Sequence, residues 1–430
     1  MLRSGRRLAL GTVAIVAAAS ACAPMPPVVL PPSPVTFIEH TVDGSIGGPS
    51  FVSYADALPG GGTEVVVSAF GKPAGGPGTV GIYQRTGAGL DSWARTDVVT
   101  AADNIKYPNE STVTDLDGDG DQDVVVTGGF FQCAFSGPGC GTLAWFENTG
   151  GGYTRHDVLP PNQTNFFHKA IVVDFDNDGV TDLVTVGETF TTAAVMWFKG
   201  DANPLNPRFN GTPLVIGNGG GSLPEVDDVD NDGDLDVISP QYFAAGRSFA
   251  WWERTADPSL LNPTGTFVDH TITSVVGPAF EIRSVPNLKG DGVRRWVSTN
   301  HVNTTFNGGS PASGVYELDP ASGVTNVWNA NLLSQGIVAR PSSPVSLAPG
   351  TFNVGDIDGD GDIDIAVSGD GDASLYWLQQ QADHSFQTFK MDTDMGQAGG
   401  GSVADLDGDG FADVAFSSFE QDVVKIYSAS

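Results

Sequence analysis

Five nine-residue segments of this chain share one pattern: DLDGDGDQD from Asp115, DFDNDGVTD from Asp174, DVDNDGDLD from Asp228, DIDGDGDID from Asp356 and DLDGDGFAD from Asp405. Two weaker copies fill the gaps in the series, DALPGGGTE from Asp56 and NLKGDGVRR from Asn287. The seven starts lie 49 to 69 residues apart, and all seven copies keep Gly at the sixth position. A glycine there permits the positive φ of a sharp turn. A period of this length marks a repeat architecture, which has to be read before any single element.

What flanks each copy repeats as well. A β-branched run follows every loop, as in DVVVT, DLVTV, DVISP, DIAVS and DVAFS, and another precedes it, as in AIVVDFD and GSVADLD. A third run, often aromatic, comes later (LAWFEN, VMWFKG, FAWWER, LYWLQQ), then a short fourth such as FVDHTI. These runs read as strands, and no segment has a helical period. Four strands repeated seven times predict an all-β fold, a seven-bladed β-propeller of four-stranded blades over residues 37–430. The last repeat supplies three strands only. FIEHTV, Phe37 to Val42, reads like FVDHTI, Phe267 to Ile272, so the N-terminal strand is expected to complete the C-terminal blade and leave no spare edge.

The repeated D-x-D-x-D-G-x-x-D loop after a strand resembles the FG-GAP and VCBS repeats of integrin-alpha-like seven-bladed propellers, over roughly residues 37 to 430. Calcium is a hard cation that takes six to eight oxygen ligands. The expected ligands are the carboxylates at positions one, three, five and nine, with the main-chain carbonyl at seven. These are Asp115, Asp117, Asp119, Asp121 and Asp123; Asp174, Asp176, Asp178, Val180 and Asp182; Asp228, Asp230, Asp232, Asp234 and Asp236; Asp356, Asp358, Asp360, Asp362 and Asp364; and Asp405, Asp407, Asp409, Phe411 and Asp413. The seventh position varies in chemistry, as a backbone ligand allows, whereas the other four are always Asp. An EF-hand would need Glu at position twelve, where this chain has Val126, Thr185, Ser239, Val367 or Phe416. About five calcium sites are therefore expected. The copy from Asn287 places Lys289 and Arg295 at ligand positions and the copy from Asp56 keeps only Asp56 and Glu64. Neither is expected to bind metal, and an ion pair with Asp291 is expected in the former.

Composition narrows the partners. Asp and Glu number 51 against 20 Lys and Arg, a formal charge of −31. Such a surface repels nucleic acid and anionic lipid. The N-terminus has a basic start (Arg3, Arg6, Arg7), an apolar run from Leu8 to Ala19 and a small-residue site before Cys22. Residues 1–21 read as an export signal. Two outcomes stay open: lipidation at Cys22, as in bacterial lipoproteins, or plain secretion after Ala21, with export by the general or the twin-arginine route. Residues 22–36 are Pro-rich and read as an extended tether. In an oxidising compartment Cys133 and Cys140 are expected to close a small disulfide loop.

The face opposite the aspartate loops is the expected ligand face. It is expected to gather Lys106, Tyr107, Glu188, Tyr242, Arg247 and His301 with Glu110, His168, Glu225 and Glu281, which precede their loops by similar offsets, and Arg283 beside them. The expected role is binding or adhesion at the cell envelope, with a polysaccharide or a protein as ligand. The alternative is a carbohydrate-active enzyme, a lyase or dehydratase, with its site on that same face. No G-x-S-x-G, phosphate loop, H-E-x-x-H or zinc-spaced Cys/His set is present.

Overall fold

The computed structural model describes residues 28–429, leaving aside 74, 130–138, 204–207, 210, 244–245, 259–261, 263–264 and 341–345. The expected signal segment, Cys22 and Cys133 lie outside the described residues. Cys140 is described and precedes the strand Thr142–Asn148.

Seven four-stranded antiparallel sheets make up the fold. Blade two shows the plan: Pro108–Thr114 pairs with Asp123–Gly128, which pairs with Thr142–Asn148, which pairs with Tyr153–Asp157. Each aspartate loop joins the first strand of a blade to its second. The first strands contact one another around the centre of the ring. A 3-10 turn at Ala101–Asp103 is the one helical element among the described residues.

The ring closes as the sequence predicts. Phe37–Asp43 pairs antiparallel with Val423–Ala429 and so becomes the outer strand of the blade that holds Ala398–Ala404 and Asp413–Ser418. The seam made by this closure is as apolar as the others. Val42, Val424 and Ile426 of the closing blade pack on Val52, Val65 and Val67 of the first. Between blades three and four, Val184, Val195 and Trp197 meet Val237, Ala250 and Trp252. Burial of this kind, about 25 cal/mol per Å² of apolar surface, holds blade to blade.

The recurrent tryptophans belong to these seams. Trp145, Trp197, Trp251 and Trp377 are at most 6% exposed. His156 and His270 of the fourth strands stack on Trp145 and Trp251 at 4.5 and 4.6 Å, which gives these histidines a packing role. The Pro-rich segment also takes part. Leu30 packs on the cluster between blades five and six, and Val35 on that between six and seven. The chain is therefore laid along the ring before its first strand begins.

Candidate functional site

Two places concentrate chemistry, one at each end of the central axis. At one end stand the aspartate loops. The sixth-position glycines Gly61, Gly120, Gly179, Gly233, Gly292, Gly361 and Gly410 all have φ between 70° and 100°. A Cβ at Gly120 or Gly233 would meet nothing within 4 Å, so backbone conformation and not space requires glycine there. The N–H of this glycine donates to Oδ2 of the first aspartate in all five intact loops, at 2.8 to 3.2 Å. Asn287 takes the same place in blade five, accepting from Gly292 at 2.6 Å.

The ninth aspartate is buried and staples three pieces of chain. Asp123 Oδ2 accepts from Leu116 N at 2.9 Å and Oδ1 accepts from Asn148 N at 2.8 Å. Asp182, Asp236 and Asp364 repeat both contacts. The second loop residue, pinned by this bond, turns inward: Leu116, Phe175, Val229 and Ile357 are each no more than 1% exposed. In blade one Glu64 performs the staple alone, accepting from Ala57 N at 2.9 Å.

Carboxylate oxygens of positions one, three and nine lie within 4.8 Å of one another in the loops from Asp115, Asp174, Asp228 and Asp405; in the loop from Asp356 positions one, three and five do so. Position five also accepts from the seventh N–H at 2.9 Å in every intact loop. Three buried oxygens of this set, Asp176 Oδ1, Asp356 Oδ1 and Asp358 Oδ1, have no hydrogen-bond partner. Converging hard oxygens with unspent lone pairs fit a calcium ion. In blade five the expected ion pair is present: Arg295 grips Asp291 with two bonds of 2.7 and 2.6 Å. Lys289 turns instead to Glu317, at 2.8 Å. Sequence reading missed Lys199, which pairs with Asp176 and, at 3.0 Å, with Asp178.

Burial pushes the ninth carboxyls up, to about 6 for Asp123, Asp182 and Asp413 and about 7 for Asp236 and Asp364, against the backbone N–H donors that favour the charged form. A raised carboxyl pKa means that the folded chain binds more protons than the unfolded one between pH ~4 and ~7. This contribution to stability is complete below the unfolded pKa and is lost as pH rises through the folded one. Without metal, the protein is expected to melt higher at pH 5 than at pH 8. With calcium, which competes with those protons, the order is expected to reverse. Melting curves at the two pH values, each with EDTA and with calcium, check both halves.

At the other end the central channel opens into a mouth of about 760 Å³. One side of it is aromatic. Phe70 stands between Tyr107 and Phe419, at 5.3 and 5.9 Å; Phe243 stands between Phe166 and Tyr242, at 6.0 and 4.8 Å; and Phe280 stacks on His301 at 4.8 Å. The other side is polar. Arg340 holds Glu420 through two bonds of 2.9 Å, and Gln397 donates to Asp370 at 2.8 Å. His301 Nδ1 donates to the Pro349 carbonyl at 2.7 Å, which leaves Nε2 3.5 Å from Asp370 Oδ2. Burial pushes the Asp370 carboxyl up, opposed by His301. Tyr107 and Asp370 both have φ of 48°, a conformation that costs on the order of 1–3 kcal/mol and gathers at functional sites.

Of the residues singled out from sequence, His168 lines this mouth and its Nδ1 lies 3.1 Å from Glu188 Oε1. Glu110 and Arg283 lie in a second, smaller cavity of about 170 Å³. Arg283 donates to Glu281 at 2.5 Å, Glu281 accepts from Phe352 N at 2.9 Å, and Lys169 sits 3.7 Å from Glu110. Glu225 joins this group electrostatically: burial pushes its carboxyl up, opposed by Lys169 and Arg283. The structure thus brings the five together in a charged belt and a mouth. Tyr107, Tyr242 and His301, expected on this face from the sequence, line the mouth; its phenylalanines were overlooked, although a repeat signal exists: an aromatic follows the second strand at Phe70, Phe190, Tyr242 and Phe419.

FG-GAP-like repeats match the chain at residues 115–185 and 356–416. No curated protein shows significant sequence similarity to it. Among solved structures, BBS1N in complex with ARL6DN is similar with a TM-score of 0.51 at 10% identity, over 92% of this chain and 97% of that one. The exotype rhamnogalacturonan lyase YesX has a TM-score of 0.49 at 16% identity, over 94% of this chain and 75% of that one. The PQQ-bound aldose sugar dehydrogenase of Streptomyces coelicolor has 0.40 at 12% identity, over 93% and 100%. The chain is a seven-bladed β-propeller, two stretches of which, residues 115–185 and 356–416, are similar to FG-GAP-like repeats.

Proposed function

We propose that the protein is an exported, calcium-stabilised propeller that binds carbohydrate in the mouth of its central channel. The observation that carries this reading is the two-sided mouth. Sugars present C–H faces that stack on aromatic rings and hydroxyl edges that bond carboxylates and guanidinium, and here Phe70, Tyr242, Phe243 and Phe280 line one mouth together with Asp370, Arg340 and Glu420. Its volume suits a small ligand or the end of a chain. The charge of −31 speaks against a nucleic acid in the same place. The export signal read in residues 1–21 supports an activity at the cell envelope, with the protein lipidated at Cys22 or freely secreted. Calcium in the aspartate loops acts at a distance, by holding the blades.

A glycan array probed with and without calcium tests the reading. Binding to a defined set of polysaccharides is expected, with Phe280→Ala weakening it about tenfold and leaving the melting curve nearly unchanged. An array without hits in calcium would refute it. One observation favours an enzyme instead: two histidine–carboxylate pairs, His168–Glu188 and His301–Asp370, flank Tyr242 in the mouth. Turnover of a bound glycan, lost in His301→Ala, would establish a lyase or dehydratase.

A further inference from the structure

One third-strand position stands beside four of the five intact loops, and its charge differs from blade to blade. It is the residue just before the backbone N–H that bonds the ninth aspartate. Those N–H groups belong to Asn148, Gly200, Arg254 and Gln380, so the position is held by Glu147, Lys199, Glu253 and Gln379. In two blades its side chain reaches the third aspartate directly. Gln379 Nε2 donates to Asp358 Oδ2 at 2.5 Å, and Lys199 Nζ donates to Asp176 Oδ2 and lies 3.0 Å from Asp178. The register places Glu147 beside Asp117 and Glu253 beside Asp230 in the same way, and each glutamate acts electrostatically on that aspartate. His156 and His270 hold the two glutamates in place, at 2.6 and 2.5 Å.

We propose that this third-strand residue sets the calcium affinity of its loop, and that Lys199 takes the metal's place in blade three, leaving four calcium-binding loops. The proposal rests on the calcium reading above. A cation that enters the loop from Asp174 must expel an ammonium which bonds two of its ligands and whose nitrogen lies 5.6 Å from the Trp197 ring centre. The ammonium satisfies the loop only in part, since Asp176 Oδ1 keeps no partner. Glu147 instead adds a carboxylate to a loop that already lacks cations. Glu253 does the same, offset by Arg254, which reaches Asp234 at 3.3 Å. The expected order is the loop from Asp115 tightest, those from Asp228, Asp356 and Asp405 intermediate, and that from Asp174 weakest.

Calcium bound per chain, counted by equilibrium dialysis and elemental analysis at about 1 mM free calcium, tests this. Four ions are expected for the natural sequence, five for Lys199→Glu and three for Glu147→Lys, with Glu147→Gln weakening one site about tenfold. Far-UV circular dichroism checks folding. Should Glu147→Lys not fold, Lys199→Glu and the neutral Lys199→Gln carry the test, each expected to gain an ion. Five ions in the natural protein, unchanged by either Lys199 substitution, would overturn the proposal and leave the calcium reading standing. No bound calcium at all would overturn both.

Discussion

EDTA is expected to lower the melting temperature of this protein by about 10 °C, and calcium, but not magnesium, to restore it. The size follows from linkage. A ligand present at 100 times its dissociation constant stabilises the folded state by about 2.7 kcal/mol per site. Four such sites sum to ~11 kcal/mol, and an unfolding entropy of ~2 cal/mol/K per residue converts that into a shift near 10–15 °C. The loops have little else to hold them. In the loops from Asp115, Asp228, Asp356 and Asp405 the carboxylates of the first and fifth aspartates accept only from backbone N–H groups of the same loop, and like charges crowd the clusters. Magnesium demands a small octahedral shell at short distance and gives up water reluctantly, so it fits these open clusters poorly.

The second large effect concerns the ninth aspartate. Asp236→Ala is expected to destabilise the protein by about 4 kcal/mol even in EDTA, because it strands the buried N–H groups of Val229 and Arg254 at a cost of about 1–3 kcal/mol each. Asp230→Asn, a change at the third position, is expected to be nearly silent in EDTA and to cost stability only when calcium is present. Denaturant titrations of the two variants, each with and without calcium, separate the staple from the ligand. Equal losses for both variants in EDTA would contradict this division of labour.

The blades and their closure were legible because their signals are local. Each loop carries its ligands within nine residues, and FIEHTV resembles the fourth strand it replaces. The pairing of Arg295 with Asp291 was legible for the same reason, since the two lie four residues apart on one turn. Contacts that arise between distant segments were not. Lys199 reaches Asp176 from the third strand, over twenty residues later, and nothing in the motif announces it. The mouth is harder still. Phe70, Phe166, Phe280 and Phe419 come from four different blades, and each looks like an ordinary apolar residue at or near a strand end. Glu281 and Arg283 drew attention as charged residues near the channel, and they pair with each other along one strand.

The most direct test of the account is a crystal structure of the protein grown in calcium and soaked with the glycan selected on the array. The account predicts metal density among Asp115, Asp117 and Asp123 and at the equivalent places in the loops from Asp228, Asp356 and Asp405, with the glycan against the aromatic side of the mouth at the opposite end of the axis. Aspartate loops without metal, or a metal ion in the mouth bonded to the sugar, would contradict it.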